Sequence, residues 1–426
     1  MKLWDKGISI DKKIEKFTVG NDRELDLFLA EYDIIASRAH AKMLGKVGLL
    51  SEKEVQDLVR ELDALAQLNA EGKFVIEADF EDVHSKIEYV LTEKLGDTGK
   101  KIHTARSRND QVLVAMQLYF KANLQDIQSS TKQLIDLLLG LAETHKEKVL
   151  PGYTHLQVAM PSSFGLWFSA YAELLIDDLY LLEAALKVVD QNPLGSAAGY
   201  GSSFPIDREF TTKELGFSSL KYNVVAAQMS RGKSERTVTA AIGALANTLS
   251  RFAMDICLYM NQNFGFISFP EELTTGSSIM PHKKNPDVFE LIRGKSNKLQ
   301  AVANEMVLIT NNLPSGYHRD FQLLKGNSIF AVESMKEILE VFIYSIALIE
   351  VKEVNLQDEK YKYLFTVDSI NELVMQGKSF RDAYKEIGEQ VQQDIYSPGE
   401  AMKHSHLGSK DNLALEEIRR KMNGFE

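Results

Sequence analysis

Chain breakers are scarce over long parts of this sequence. Only nine of 426 residues are proline, and eight of those nine fall between positions 151 and 314. Proline removes a backbone donor and clashes with the preceding turn, so stretches without it sustain long helices. Five stretches read this way. The first, 111–150, meets one glycine, Gly140, before Pro151 stops it. At about 1.5 Å per residue it approaches ~60 Å. The second lies between Pro161 and Pro193, and the third covers 235–263. The fourth opens on Asn285-Pro286, a capping residue followed by proline at the first helical position, and ends before Pro314. The fifth covers 327–354. All exceed the mean globular helix of about 11–12 residues. A sandwich or barrel, which needs turn signals every ~8–12 residues, is a poor fit.

Several of these stretches are apolar on more than one face. Leu134, Ile135, Leu137, Leu138, Leu139 and Leu141 leave little room for a polar side. A helix apolar nearly all round is buried on all sides. The expectation is an all-α chain whose central bundle also packs on other subunits, in preference to a monomeric bundle with a thick core. The flanks carry shorter helical patterns, such as 51–70 with its Ser51-x-x-Glu54 capping-box signature. Positions 368–376 and 380–393 follow the bundle, then a polar tail. Three domains are expected, at 1–106, 107–356 and 357–426. Strand signals are few and short, and there is no internal repeat.

Composition removes other classes. The formal net charge of −11 argues against a general nucleic-acid binder. One cysteine, Cys257, makes no internal disulfide and suits a reducing cytoplasm. The charged stretch 1–13 has no apolar core and does not read as a secretory signal. The apolar runs fall far short of the ~18 residues that span a bilayer.

Three polar segments punctuated by Gly or Pro sit beside the helices, where function tends to reside. His103-Thr-Ala-Arg-Ser-Arg-Asn-Asp-Gln-Val112 offers Arg108 for a two-pronged grip on a carboxylate, or a surface ion pair. Gly152-Tyr-Thr-His-Leu-Gln-Val-Ala-Met-Pro161 offers His155 as an acid or base near neutral pH, although a lone histidine is more often structural. Gly276-Ser-Ser-Ile-Met-Pro-His-Lys-Lys-Asn-Pro-Asp287 places Lys283 and Lys284 beside a helix start. That combination favours an anion, against the alternative of a solvated loop. The Gly-rich run 192–201 has no strand signal before it and lacks the Lys-Ser/Thr of a phosphate loop. His404-x-His406 is too little for a metal site, and no other histidine has ligand spacing.

Together the three segments resemble the fumarase/aspartase superfamily and, within it, the argininosuccinate lyase family. Gly276-Ser-Ser-Ile-Met-Pro-x-Lys-x-Asn-Pro286 is similar to the superfamily signature. The segments around Arg108 and His155 resemble the lyases specifically, as do Tyr32-Asp-Ile34, His40-Ala-Lys-Met-Leu44, Phe204-Pro-Ile-Asp-Arg208 and Phe380-Arg381. The resemblance covers roughly 30–395. It implies a cytoplasmic homotetramer with a twenty-helix core, five long helices per subunit, and active sites built from three subunits. It also implies a step of arginine biosynthesis, the reversible cleavage of argininosuccinate to arginine and fumarate, with no metal and no cofactor. By resemblance, Ser277 is the base and His155 the acid, oriented by Glu290, with Lys283 completing the catalytic set. Ser107, Arg108, Asn109, Thr154, Lys283 and Asn285 would hold the fumarate-side carboxylates. Tyr317, Gln322 and Lys325 match further substrate contacts, and Asp82 and His84 match a region near the site. The rival readings are another superfamily lyase, such as a fumarase or aspartate ammonia-lyase, and a non-catalytic crystallin-like protein.

Three stretches depart from the family pattern. Trp4 is followed by Asp5-Lys6-Gly7 in place of Gly-Gly-Arg. Phe17-Thr-Val-Gly-Asn-Asp22 lacks the serine often found there, and 223–236 is longer than usual. These changes point at the pocket for the amino-acid end, and they extend the expectation to an N-acylated argininosuccinate, with its α-amino group capped.

Overall fold

The computed structural model describes residues 11–399 and 402–425. The Trp4–Gly7 departure and most of the 1–13 stretch lie outside the described residues. The five long helices are Arg108–Thr144, Phe164–Val189, Lys233–Met260, Asp287–Thr310 and Leu323–Ile346. Among the described residues no helix is long and apolar enough to cross a membrane.

The chain divides into two compact units, one of residues 1–128, 181–244 and 298–336, the other of 129–180, 245–297 and 337–426. In the first unit, Ala30–Lys46, Glu52–Ala70 and Val83–Leu95 pack around Ile34, Leu44, Leu58, Leu62, Val83 and Leu91, all nearly or fully buried. Leu58, Leu62 and Leu65 repeat at helical spacing and make the buried stripe of their helix. The capping box forms as the sequence suggests. Ser51 N donates to Glu54 Oε2 at 2.8 Å, and Glu54 N donates to Ser51 Oγ at 3.3 Å. Ser51→Ala is expected to cost about 1 kcal/mol of stability, read by urea denaturation.

In the second unit an aromatic cluster joins four of the long helices. Phe252 stacks on Tyr171 at 4.0 Å between centroids, and also meets Trp167 and Phe342. Phe342 in turn meets Phe289 at 5.9 Å. Asp255 accepts from both Trp167 Nε1 (3.2 Å) and Tyr171 Oη (2.7 Å), which fixes the polar ends of those rings. Leu134, Ile135, Leu138 and Leu139 are buried within the single chain. Other long-helix positions are not: Leu291, Leu308, Leu323 and Tyr344 are each more than 60 % exposed.

Four sequence readings need correction. The first long helix stops at Thr144, not near Leu150, because Val149–Thr154 pairs antiparallel with Gln157–Ser163. The fifth begins at Leu323 and ends at Ile346, because Glu350–Val351 turns to pair with Ile267–Ser268. A two-residue strand, Gln191–Asn192, does precede the Gly-rich run and pairs parallel with Ser219–Leu220. The polar tail contains a helix, Leu415–Asn423, that buries only Ile418 and Met422, too sparse a stripe to announce itself.

Candidate active site

In the first unit, Ser107 precedes the Arg108–Thr144 helix and organises its start. Ser107 Oγ accepts from Asn109 N (3.2 Å), while Asp110 Oδ1 accepts from Ser107 N (2.9 Å). The other Asp110 oxygen accepts from Gly195 N (3.1 Å) and Ala197 N (2.9 Å), so the Gly-rich run is tied to this helix start. No phosphate loop is needed to explain those glycines.

This arrangement aims Arg108 and Asn109 into a cavity of about 150 Å³. Arg108 pairs with Glu81 at 3.1 Å and, closely, with Asp82. Arg319 meets Glu81 at 3.3 Å. Although burial pushes the Glu81 carboxyl up, the two guanidinium groups outweigh it and hold the group below the usual range. Tyr317 reaches the same cavity from just before the short 3₁₀ turn Arg319–Gln322, Gln322 from the end of that turn, and Lys325 from the first turn of Leu323–Ile346. Lys325 is almost fully buried and donates to Asp26 (2.5 Å) and Asp22 (3.1 Å). Gln322 Nε2 donates to the carbonyls of Thr18 and Val19, pinning the end of Lys12–Val19.

Behind the cavity lies a buried ionic cluster. Asp33 is fully buried; one oxygen accepts from His84 Nδ1 at 2.9 Å and the other meets Arg106 at 3.4 Å. Arg106 also donates to Ser37 Oγ at 3.0 Å. Asp82 therefore lines the cavity, whereas His84 supports the residue just before Ser107.

In the second unit, Thr154 and His155 sit at the tip of the hairpin. His155 and Leu156 form its two-residue turn, both left-handed at φ 54° and 58°. That turn type usually selects Asn-Gly. A histidine and a leucine there cost about 1 kcal/mol each, the kind of strain found at functional positions. Gly152 allows the strands to bulge, since a Cβ on it would lie 2.8 Å from the Met160 carbonyl oxygen.

The Ser277 segment is an exposed loop stapled at its base. Thr275 and Asn285 exchange backbone bonds at 3.3 and 2.8 Å, and Asn285 Nδ2 reaches the Gly276 carbonyl at 3.4 Å. Within the loop, Ser277 Oγ accepts from Met280 N at 3.1 Å and Ile279 N at 3.4 Å. Lys283 is exposed, while Lys284 pairs with Glu271 at 2.8 Å. Glu290 lies one turn into its helix, its N–H on the Pro286 carbonyl at 3.0 Å. Among the described residues no hydrogen bond joins Glu290 to His155 within one chain. Cys257 is half-buried, and burial pushes its thiol up to about 11, so it supplies no thiolate near neutral pH.

The twelve residues given catalytic or substrate-binding roles from the sequence thus divide evenly. Ser107, Arg108, Asn109, Tyr317, Gln322 and Lys325 belong to the first unit. Thr154, His155, Ser277, Lys283, Asn285 and Glu290 belong to the second. Sequence reasoning missed Asp22, Asp26, Glu81, Arg231 and Arg319, all of which line the first-unit cavity. For Asp22 and Arg231 a signal existed, because both lie in stretches that depart from the family pattern.

A family model described as Lyase matches residues 7–301. The argininosuccinate lyase of Phocaeicola vulgatus is 51% identical over 417 residues, covering 98% of this chain and 94% of its own. The chain belongs to the argininosuccinate lyase family. Another member, from Thermotoga neapolitana, is 43% identical over 388 residues, covering 91% of this chain and 98% of its own. Beyond the family the fold alone is shared. A variant of EDDS lyase with bound fumarate superposes with a TM-score of 0.73 at 18% identity, over 98% of this chain and 90% of that one. A class II fumarase from Schistosoma mansoni gives 0.72 at 16%, over 96% and 94%. The family thus stands on sequence identity over nearly the whole chain, and the long-helix architecture is that of the fumarase/aspartase superfamily.

Proposed function

We propose that this chain catalyses the reversible β-elimination of argininosuccinate to arginine and fumarate, a step of arginine biosynthesis. The observation that carries this reading is the 51% identity with an argininosuccinate lyase over 98% of the chain. Ser277 takes a proton from the carbon next to a carboxylate, and that carboxylate gains charge as an aci-acid. The C–N bond then breaks, and His155 protonates the departing guanidino nitrogen. Serine is a poor base unless its alkoxide is stabilised. The N–H groups of Ile279 and Met280 already point at Ser277 Oγ, and Lys283 adds positive charge to the same loop. Glu290 orients His155. Ser107, Arg108, Asn109, Thr154, Lys283 and Asn285 hold the fumarate-side carboxylates; Tyr317, Gln322 and Lys325 make further substrate contacts. Each proton moves between a side chain and the substrate, so the scheme calls for no cofactor.

The reading includes a homotetramer, in the cytoplasm, with each site completed by segments of three copies. Leu291, Leu308, Leu323 and Tyr344, exposed on long helices, support burial against other copies. The segments 1–106, 107–356 and 357–426 are the domains of that assembly. The test is release of fumarate, followed by its ultraviolet absorbance, from argininosuccinate, malate and aspartate in turn. Fumarate is expected from argininosuccinate alone. Release from malate or aspartate, and not from argininosuccinate, would overturn the reading in favour of another superfamily chemistry.

A further inference from the structure

The wall of the first-unit cavity holds four carboxylates and four cations, but one of those cations, Arg231, is engaged by Glu235 outside the wall, so the remaining charge is short of one cation. Arg108 and Arg319 are matched by Asp82 and Glu81. Arg231 is matched by Glu235 at 2.7 Å. That leaves the single charge of Lys325 shared between two carboxylates, Asp26 and Asp22. Asp26 is the better supported of the two. It is fully buried, takes the shorter bond from Lys325, and accepts from Val83 N (3.1 Å) on its other oxygen. Asp22 has the longer bond, at 3.1 Å, and its side chain stays 15% exposed on the cavity wall. The surplus negative charge therefore rests on Asp22, which shares the cavity wall with Gln322 and Tyr317 and closes the altered 17–22 stretch that points at the amino-acid end. Burial, aided by the neighbouring Asp26, pushes the Asp22 carboxyl up, and the opposing pull of Lys325 and Arg231 does not reverse it.

We infer that Asp22 is a specificity residue, whose carboxylate receives the free α-ammonium of the amino-acid end and selects against a substrate whose amino group is acylated. This rests on the reading of the chain as an argininosuccinate lyase. An ammonium brings one positive charge and three donors to a site short of one cation. An amide brings no charge, a single N–H and the bulk of the acyl group, and leaves Asp22 uncompensated. An anionic acyl cap adds repulsion. The altered 17–22 stretch thus points away from a capped substrate, the opposite of what its departure from the family pattern first suggests.

Binding tests this without turnover. Calorimetry on the full chain would compare L-arginine with Nα-acetyl-L-arginine, for wild type, Asp22→Asn and Asp22→Ser. Wild type should prefer free arginine by about tenfold or more, the scale of one charge-assisted hydrogen bond. Both variants should bring the ratio to within about twofold, chiefly by weakening arginine. Each ratio is internal to one protein, so a general loss of stability cannot imitate the result. Equal affinities in wild type, or an unchanged preference in either folded variant, would overturn the assignment. Fumarate release by wild type is measured alongside: its absence defeats the proposed reaction, whereas release with no discrimination at the α-amino group defeats the role of Asp22 alone.

Discussion

Ser277→Ala is expected to lower kcat for argininosuccinate by about 10³-fold, the contribution of a well-placed general base. The loss should fall on kcat rather than KM, since the proton leaves only in the transition state. Stability should move by less than about 1 kcal/mol, because the side chain sits half-buried in an exposed loop and, among the described residues, its hydroxyl only accepts from Ile279 and Met280 within that loop. The pairing of Thr275 with Asn285 at the base of the loop does not involve the hydroxyl. Steady-state rates beside a denaturation curve separate the two effects. A variant that turns over at a near-normal rate would remove Ser277 from the role of base. A wild-type chain with no activity to lose would favour the non-catalytic, crystallin-like alternative.

The scaffold was more legible than the site. Breaker-poor stretches announced all five long helices, because a helix of 24 to 37 residues repeats its signal many times over. Their ends were less visible. Pro151 looked like the stop of the first helix, yet it lies inside a strand opposite Pro161, and the helix had ended seven residues earlier. The hairpin was hidden for a related reason. Its turn is His155-Leu156, which lacks the Asn-Gly that ordinarily marks such a turn. Residues that act through a contiguous motif, such as Arg108 and Asn109, could be found by reading. Those that act through long-range pairing could not. Asp26 reaches Lys325 across 299 positions, and Arg319 reaches Glu81 across 238, with no local pattern to record either contact.

The largest expected loss of stability lies behind the cavity. Asp33→Asn should destabilise the chain by about 3–5 kcal/mol, the range for removing one partner from a buried ion cluster. Asp33 is fully buried between His84 and Arg106, and the Arg106 side chain is itself only 1% exposed. Burial already pushes the Arg106 guanidinium down, so the loss of Asp33 leaves a buried cation without its ion-pair partner, with only the longer-range charges of Asp110 and Glu88 to offset it. Burial would also push the Asp33 carboxyl up, but His84 and Arg106 more than reverse this and hold it below the ordinary range. A carboxyl depressed by folding contributes stability above its unfolded value, about 3.9, and loses it as the pH falls through the folded value. Urea denaturation should therefore show wild type keeping this contribution at neutral pH and surrendering it below about pH 4, with the gap to Asp33→Asn narrowing there. The same substitution should reach the chemistry, because Arg106 sits directly before Ser107, Arg108 and Asn109. Arg106→Met combined with Asp33→Asn should cost less than the sum of the two changes, since each single change strands the other partner. A single Asp33→Asn within 1 kcal/mol of wild type at neutral pH, or a strictly additive pair, would show that the cluster does not hold the substrate-gripping segment in place.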